Sequence, residues 1–383
     1  MANITDYLCS EFDSFDERPL GDVDSLILSW LSYYRLSDEA ADARTMRGMT
    51  FGELYRMKAF TEATAVAVDE MGARHLLAAV AASPRYDGLR VSNYVEELDE
   101  EREKQFSAMT FSFPNGITYV AFRGTDNTLV GWKEDFNLAF EHQLPSQLEA
   151  HGYLERVAAQ TNGPLYTGGH SKGGNLAIYA AMTCSDETVH RIRAAFSHDG
   201  PGFTAEMMAS ETWSHRAHLI HKTVPNQSVI GMIFDQQDDC TVVSSTETGI
   251  MQHNPFSWEI EGCSFKTVDK LDLAAHHVDK SLNDWVAGMS RAEREAFVET
   301  LFSIFAAGGE KTFADLGENW ATSVPAMLDF AAKLPEETRD SFKSAVGGFF
   351  RELAPDISFK GIASSIADSI GMGESAAAQE QTE

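Results

Sequence analysis

Ser171 stands in the frame Gly169-His170-Ser171-Lys172-Gly173. Gly-x-Ser-x-Gly is the spacing of a nucleophile elbow, a serine on a strained strand-to-helix turn whose flanking glycines let two backbones pack closely. Leu165-Tyr166-Thr167 before it reads as a short strand, and Asn175 to Met182 after it as an Ala-rich helix. That helix would place its partial positive charge beneath the hydroxyl. The backbone N–H of Lys172 would be one oxyanion donor. The bland alternative is a glycine-rich turn or a phosphate-type loop.

A serine hydroxyl is a poor nucleophile at neutral pH. It needs a general base within hydrogen-bond reach, and the base needs an orienting acid. On α/β-hydrolase scaffolds the chain order is Ser, acid, His, so the base lies C-terminal to Ser171. Of the later histidines, His253 in GIMQHNPFSWEI is the choice, because it follows the strand-like TVVSS and sits in a loop marked by Asn254-Pro255. The alternative for it is a loop histidine bonded to a backbone carbonyl. His276 and His277, on an expected helix, are the fallback. His215, His218 and His221 are spaced by three, but a strand-like HLIH splays such ligands and no Cys or carboxylate completes a set. No metal or other cofactor is called for. Asp199 ends a strand-like FSH before Gly200-Pro201-Gly202 and could be the acid or simply a turn-capping residue.

A second oxyanion donor must come from the loop after an earlier strand. YVAFRGTDNTLVGWKEDF has that shape, with the strand ending at Phe122-Arg123-Gly124 and Thr125 opening the loop. Thr125 would supply its N–H, a contact typically worth about 3 kcal/mol in the transition state. Arg123 reads as structural, paired with a carboxylate such as Asp135. Leu129, Val130 and Trp132 in the following loop are candidate acyl-group contacts, with Trp132 as core the alternative. The Lys172 side chain would either favour an anionic substrate and the oxyanion or, the blander reading, be solvated on the first helical turn.

Phe122-Arg123-Gly124-Thr125, Trp132-x-x-Asp135 and Gly169-His170-Ser171-Lys172-Gly173-Gly174 resemble the landmarks of the fungal-type class 3 lipases. The wider run of RPLGDVDSLILSWLSY, QFSAMTF, AFRGTDNTLVGWKEDFN, GGHSKGGNLAIYAA, DGPGF and QHNPFSW is more similar to a bacterial family of lipase-like α/β-hydrolases of unassigned substrate. The resemblance covers roughly residues 18–260 and implies an α/β-hydrolase fold with lipase-like chemistry. In the class 3 lipases the acid lies in a segment resembling Pro-Asn-Asp-x-Val. Here that segment is Pro225-Asn226-Gln227-Ser228-Val229, with Gln227 where the carboxylate belongs. A glutamine can hold an imidazole N–H but cannot balance imidazolium charge. Asp199 is then one replacement, and Asp235, Asp238 and Asp239 are others unless they form only a solvated acidic loop.

The rest of the chain must position these groups. Its 383 residues are 43% hydrophobic, enough for a sizeable core. The net charge of −28 repels phosphate backbones and anionic headgroups, which argues against nucleic acid. Cys9, Cys184, Cys240 and Cys263 form no Cys-x-x-Cys pair, the first residues lack the pattern of a secretory signal, and no apolar run is long enough to span a membrane. A reduced, cytoplasmic protein is the expectation. Residues 1–110 read as mostly helical. FSAMTFSFPNGITYVAF alternates and carries a Pro-Asn-Gly turn, the mark of a hairpin. IRAAFSHDGPGF, HLIHKTVP and CTVVSST are further strands, so strands alternate with helices in an α/β sheet. Residues 1–267 form the expected α/β-hydrolase domain with a helical N-terminal segment. Residues 268–372 form a C-terminal helical cap or extension, with Ser290 to Glu293 a capping box, and 373–383 a disordered tail.

The sequence therefore predicts a serine hydrolase for a carboxylic ester or thioester. Ser171 attacks, His253 shuttles the proton, Asp199 orients it, and Thr125 and Lys172 hold the oxyanion. A non-catalytic binding or scaffold protein on the same fold and an acyltransferase using the same elbow are the alternatives.

Overall fold

A computed structural model of the chain describes residues 2–57, 70–126, 128–137, 143–228, 230–232, 240–271 and 290–306. The chain divides into two compact units. The first comprises Met1–Asp126 and Gln143–His276, and the second Asn127–His142 and His277–Glu383.

In the first unit, β1 (Met49–Thr50), β2 (Arg90–Asp99), β3 (Lys104–Ser112), β4 (Thr118–Phe122), β5 (Leu165–His170), β6 (Ile192–His198), β7 (Ile220–Pro225) and β8 (Thr241–Val243) form an 8-stranded sheet in sequence order. Pairing is antiparallel from β1 to β4 and parallel from β4 to β8. The β3–β4 hairpin turns at Pro114-Asn115-Gly116, with Phe113 and Ile117 closing it by a backbone hydrogen bond of 3.0 Å. Side chains alternate across the sheet as a two-residue period requires. Phe106, Ala108, Val120 and Phe122 pack with the helices Pro145–Gln160 and Lys172–Thr183 on one face. Met109, Phe111, Tyr119 and Ala121 pack with the helix Asp22–Leu31 on the other.

One expectation fails in the N-terminal part. Residues 90–99, within the stretch read as mostly helical, are a strand. The alternation that would have marked the strand is broken by a register shift between Ser92 and Val95, where Asn93 adopts a φ of 53°. An extra residue at such a bulge moves every later side chain to the opposite face.

The N-terminal helices are held by a buried ion pair. Arg85 Nε and Nη2 donate to Asp24 Oδ1 and Oδ2 at 2.8 and 2.7 Å. The Tyr7 and Tyr86 hydroxyls donate to Oδ1, each at 3.0 Å, and Gly21 N–H donates to Oδ2 at 3.1 Å. Burial and the Asp24 charge push both phenols upward, so they remain donors. Arg85 also donates to the carbonyls of Asp13 and Arg18 and lies over the Phe15 ring.

In the second unit the described helices are Leu129–Asn137 and Arg291–Ala306. Ser290 and Glu293 form the expected capping box, with N–H to Oε2 at 2.7 Å and Oγ accepting from the Glu293 N–H at 3.3 Å. Lys133 and Glu299 pair at 2.9 Å. No helix among the described residues is long and apolar enough to cross a membrane. Apart from 268–271 and 290–306, the expected helical extension over 268–372 and the tail over 373–383 lie outside the described residues.

Breaking the Asp24–Arg85 pair leaves an uncompensated buried charge, which costs about 3–5 kcal/mol, whereas replacing both partners by apolar groups is often close to neutral. Arg85→Met is therefore expected to lose that much stability in urea unfolding, and Arg85→Met with Asp24→Leu to recover part of it. A single variant as stable as the wild type contradicts this account.

Candidate active site

Ser171 occupies the turn between β5 and the helix Lys172–Thr183, with φ 58° and ψ −136°. A non-glycine residue rarely holds such a backbone unless its surroundings impose it. Here they do. Ser171 N–H donates to the His198 carbonyl at 3.0 Å, and the Ser171 carbonyl accepts from Gly174 N–H at 2.9 Å. A Cβ on Gly173 would sit 2.1 Å from the Phe122 carbonyl oxygen, and one on Gly169 2.1 Å from the Gly173 carbonyl carbon. Both glycines are required by backbone contact. The half-buried serine thus lies at the N-terminus of a three-turn helix, where the macrodipole favours developing negative charge.

His253 ends the short 3-10 turn Gly249–His253. Its Nδ1 lies 2.6 Å from Asp199 Oδ2. Asp199 is 1% exposed, and its other oxygen accepts from the Ser228 hydroxyl and from the Gly231 N–H, the latter at 3.1 Å. This carboxylate is buried and carries three contacts, so it is held in one orientation. Gln227 is engaged elsewhere. Its N–H donates to Gln252 Oε1 at 2.8 Å and its Oε1 accepts from Gly249 N–H at 2.7 Å. It clamps the turn that carries His253. Asp235, Asp238, Asp239, His276 and His277 lie outside the described residues.

His253 also touches the elbow directly. Its ring centroid lies 4.4 Å from that of His170, and its carbonyl is 2.8 Å from His170 Nε2. Among the described residues no hydrogen bond joins Ser171 Oγ to the His253 ring. In a ligand-free hydrolase site such bonds are often long and tighten only around substrate.

The β4 end abuts the elbow. A Cβ on Gly124 would fall 3.0 Å from Ser171 Cβ and 2.6 Å from the His170 carbonyl oxygen. Thr125, the next residue, is half-buried. Arg123 pairs with Glu96 at 2.8 Å and Asp126 at 3.5 Å. Glu96 comes from the strand that the sequence pattern concealed. Arg35 joins the same two carboxylates at 2.8 and 3.1 Å, so ion pairs bracket Gly124-Thr125. The Lys172 side chain is buried rather than solvated, and Nζ donates to Gln105 O and Oε1 at 3.0 and 2.9 Å. Its four methylenes let the ammonium reach across to β3, and that tertiary contact has no local signature. Leu129, Val130 and Trp132 lie on a helix rather than a loop. Val130 is half-buried, and the Leu129 and Trp132 side chains lie outside the described residues.

His215, His218 and His221 fall on a helix, a 3-10 turn and β7, and His218 Nδ1 faces the His215 carbonyl at 3.1 Å. Among the described residues no three His, Cys, Asp or Glu side chains gather as a metal site. Sequence reasoning passed over Ser228, Gln252, Tyr33 and His170. All four lay inside quoted motifs, but nothing local revealed their partners. Asn175, in GGN, donates to the carbonyls of Pro201 and Gly202 at 3.2 and 2.9 Å, which ties the DGPGF turn to the elbow helix.

A profile of the Mbeg1-like family matches residues 80–303, more than half of the chain, and the chain belongs to that family. Among solved structures it is similar to the crystal structure of M37 lipase, at 12% identity and a TM-score of 0.31, over 51% of this chain and 68% of that one. A superposition that loose carries no argument. No curated protein matches the chain.

Two buried imidazoles next to the site make stability depend on pH. Burial, then the neighbouring His253, holds His170 well below the ordinary value. Burial, then His221, brings His198 down to about 3. Both are neutral in the folded chain and take up protons in the unfolded chain below about pH 6.5. The unfolded state then binds more protons, so their contribution is complete above that pH and is lost as pH falls toward the folded values. In urea unfolding, stability is expected to fall below about pH 6.5, and His198→Gln to lessen the slope by up to about 1.4 kcal/mol per pH unit. An identical slope in that variant contradicts the assignment.

Proposed function

We propose that this Mbeg1-like protein has an α/β-hydrolase fold and is a serine hydrolase cleaving a carboxylic ester or thioester. The observation that carries this reading is the 2.6 Å bond between His253 Nδ1 and the buried Asp199 carboxylate, in a chain whose strained serine precedes both. Ser171, Asp199, His253 is the order of acyl-transfer triads on α/β-hydrolase scaffolds.

In the reaction, Ser171 Oγ attacks the acyl carbon while His253 Nε2 takes its proton. Asp199 balances the imidazolium that forms and keeps Nδ1 protonated. The carbonyl oxygen becomes an oxyanion held by the N–H groups of Thr125 and Lys172, at the positive end of the helix. His253 returns the proton to the leaving alcohol or thiol. Water, activated by the same imidazole, then cleaves the acyl-enzyme and restores Ser171. An acceptor alcohol or amine in place of water would make the protein an acyltransferase. The scaffold alternative rested on Gln227, and with Asp199 on the imidazole that ground is weaker. All four cysteines are free thiols, which supports work in a reducing cytoplasm.

Labelling with a fluorophosphonate probe tests the reading. Wild-type protein is expected to label and Ser171→Ala not to. Asp199→Asn, which leaves shape intact, is expected to slow the reaction by up to about 10⁴-fold, and adding Gln227→Asp to that variant is expected not to restore it. Folded wild-type protein that gives no Ser171-dependent adduct would sink the enzyme reading.

A further inference from the structure

Asp199 orients one nitrogen of His253, but a histidine at the end of a short turn can still shift as a whole. His170, the residue before the serine, bears on that freedom. It is 3% exposed. Its Nε2 lies 2.8 Å from the His253 carbonyl oxygen, and a carbonyl only accepts, so Nε2 carries the hydrogen. Its Nδ1 lies 3.2 Å from the Tyr33 hydroxyl, whose single hydrogen is shared between that nitrogen and the His170 carbonyl at 3.3 Å. With Nε2 protonated and the ring uncharged, Nδ1 presents a lone pair and the hydroxyl is the donor to it. The Trp30 ring meets the same imidazole edge-on at 5.4 Å.

We propose that Tyr33 and His170 form a positioning relay for the catalytic base: Tyr33 O–H holds His170 Nδ1, and His170 Nε2–H holds the His253 main chain against the elbow. The proposal rests on the hydrolase reading above. His253 is then gripped at two points, Nδ1 by Asp199 and its carbonyl by His170, and among the described residues its Nε2 makes no hydrogen bond. The grip comes from the residue covalently next to Ser171, so base and nucleophile are set relative to each other through one short span of chain. Burial keeps His170 uncharged. That suits a ring 4.4 Å from an imidazole that becomes a cation during turnover, because a second cation there would oppose the first.

Two measurements test the relay. In ¹⁵N-labelled wild-type protein at neutral pH, the His170 ring is expected to show a protonated Nε2 and an unprotonated Nδ1. An Nδ1–H tautomer or an imidazolium overturns the proposal and needs no activity to be read. The second is the rate of fluorophosphonate labelling. His170→Phe keeps a ring but removes the donor, and His170→Gln keeps a donor near Nε2. His170→Phe is expected to slow labelling at saturating probe about 10- to 100-fold with little change in probe affinity. His170→Gln is expected to recover most of that rate. Wild-type labelling with His170→Phe equally fast, or with His170→Gln as slow as His170→Phe, overturns the relay alone. Wild-type protein that fails to label overturns the hydrolase reading and the relay's part in it together, whatever the tautomer.

Discussion

The site depends on the contact of two stretches of main chain with no side chain between them. Where β4 ends, the Phe122 carbonyl and Gly124 press against Gly173 and Ser171, and Gly169 presses against Gly173. A methyl group at Gly124, Gly169 or Gly173 would overlap backbone atoms. This approach holds Ser171 at its positive φ, turns the chain into the helix, and brings the Gly124-Thr125 loop beside the serine. The strain is borne by the sheet and by the helix packed on it, both buried and regular.

A second layer of polar contacts adapts that frame to chemistry. Arg123, Arg35, Glu96 and Asp126 brace the loop on either side of Thr125. Lys172 is spent on Gln105 rather than on substrate. Asp199, after β6, meets His253 Nδ1, and Gln227, after β7, clamps the turn that carries His253. Both positions lie at the ends of adjacent parallel strands.

The strand-to-helix turn at Ser171, the hairpin and the parallel strands were legible because each has a local cause. The hairpin has its turn residues, the strands their two-residue period, and the elbow its glycines. Residues 90–99 were not legible, because a bulge at Asn93 breaks the period that would have marked them. Arg123 showed as structural, but its partner Glu96 did not show, because it sat in the strand that went unseen. Lys172 was misread for a different reason. A lysine on a first helical turn is normally solvated, and only the packing of β3 over it supplies Gln105.

The sequence alone determined the order Ser171, Asp199, His253 and the glycines that let an elbow form, because these follow from residue type, spacing and steric size. It left Asp199, Asp235, Asp238 and Asp239 as rival acids and gave no sign of the contacts of His170 or Tyr33. Only the tertiary structure decided which side chain meets His253 and what grips its main chain. Those contacts join residues 54, 83 and 137 positions apart. Over such separations a hydrogen bond exists only once the sheet has brought its strand ends together, and no local pattern records it.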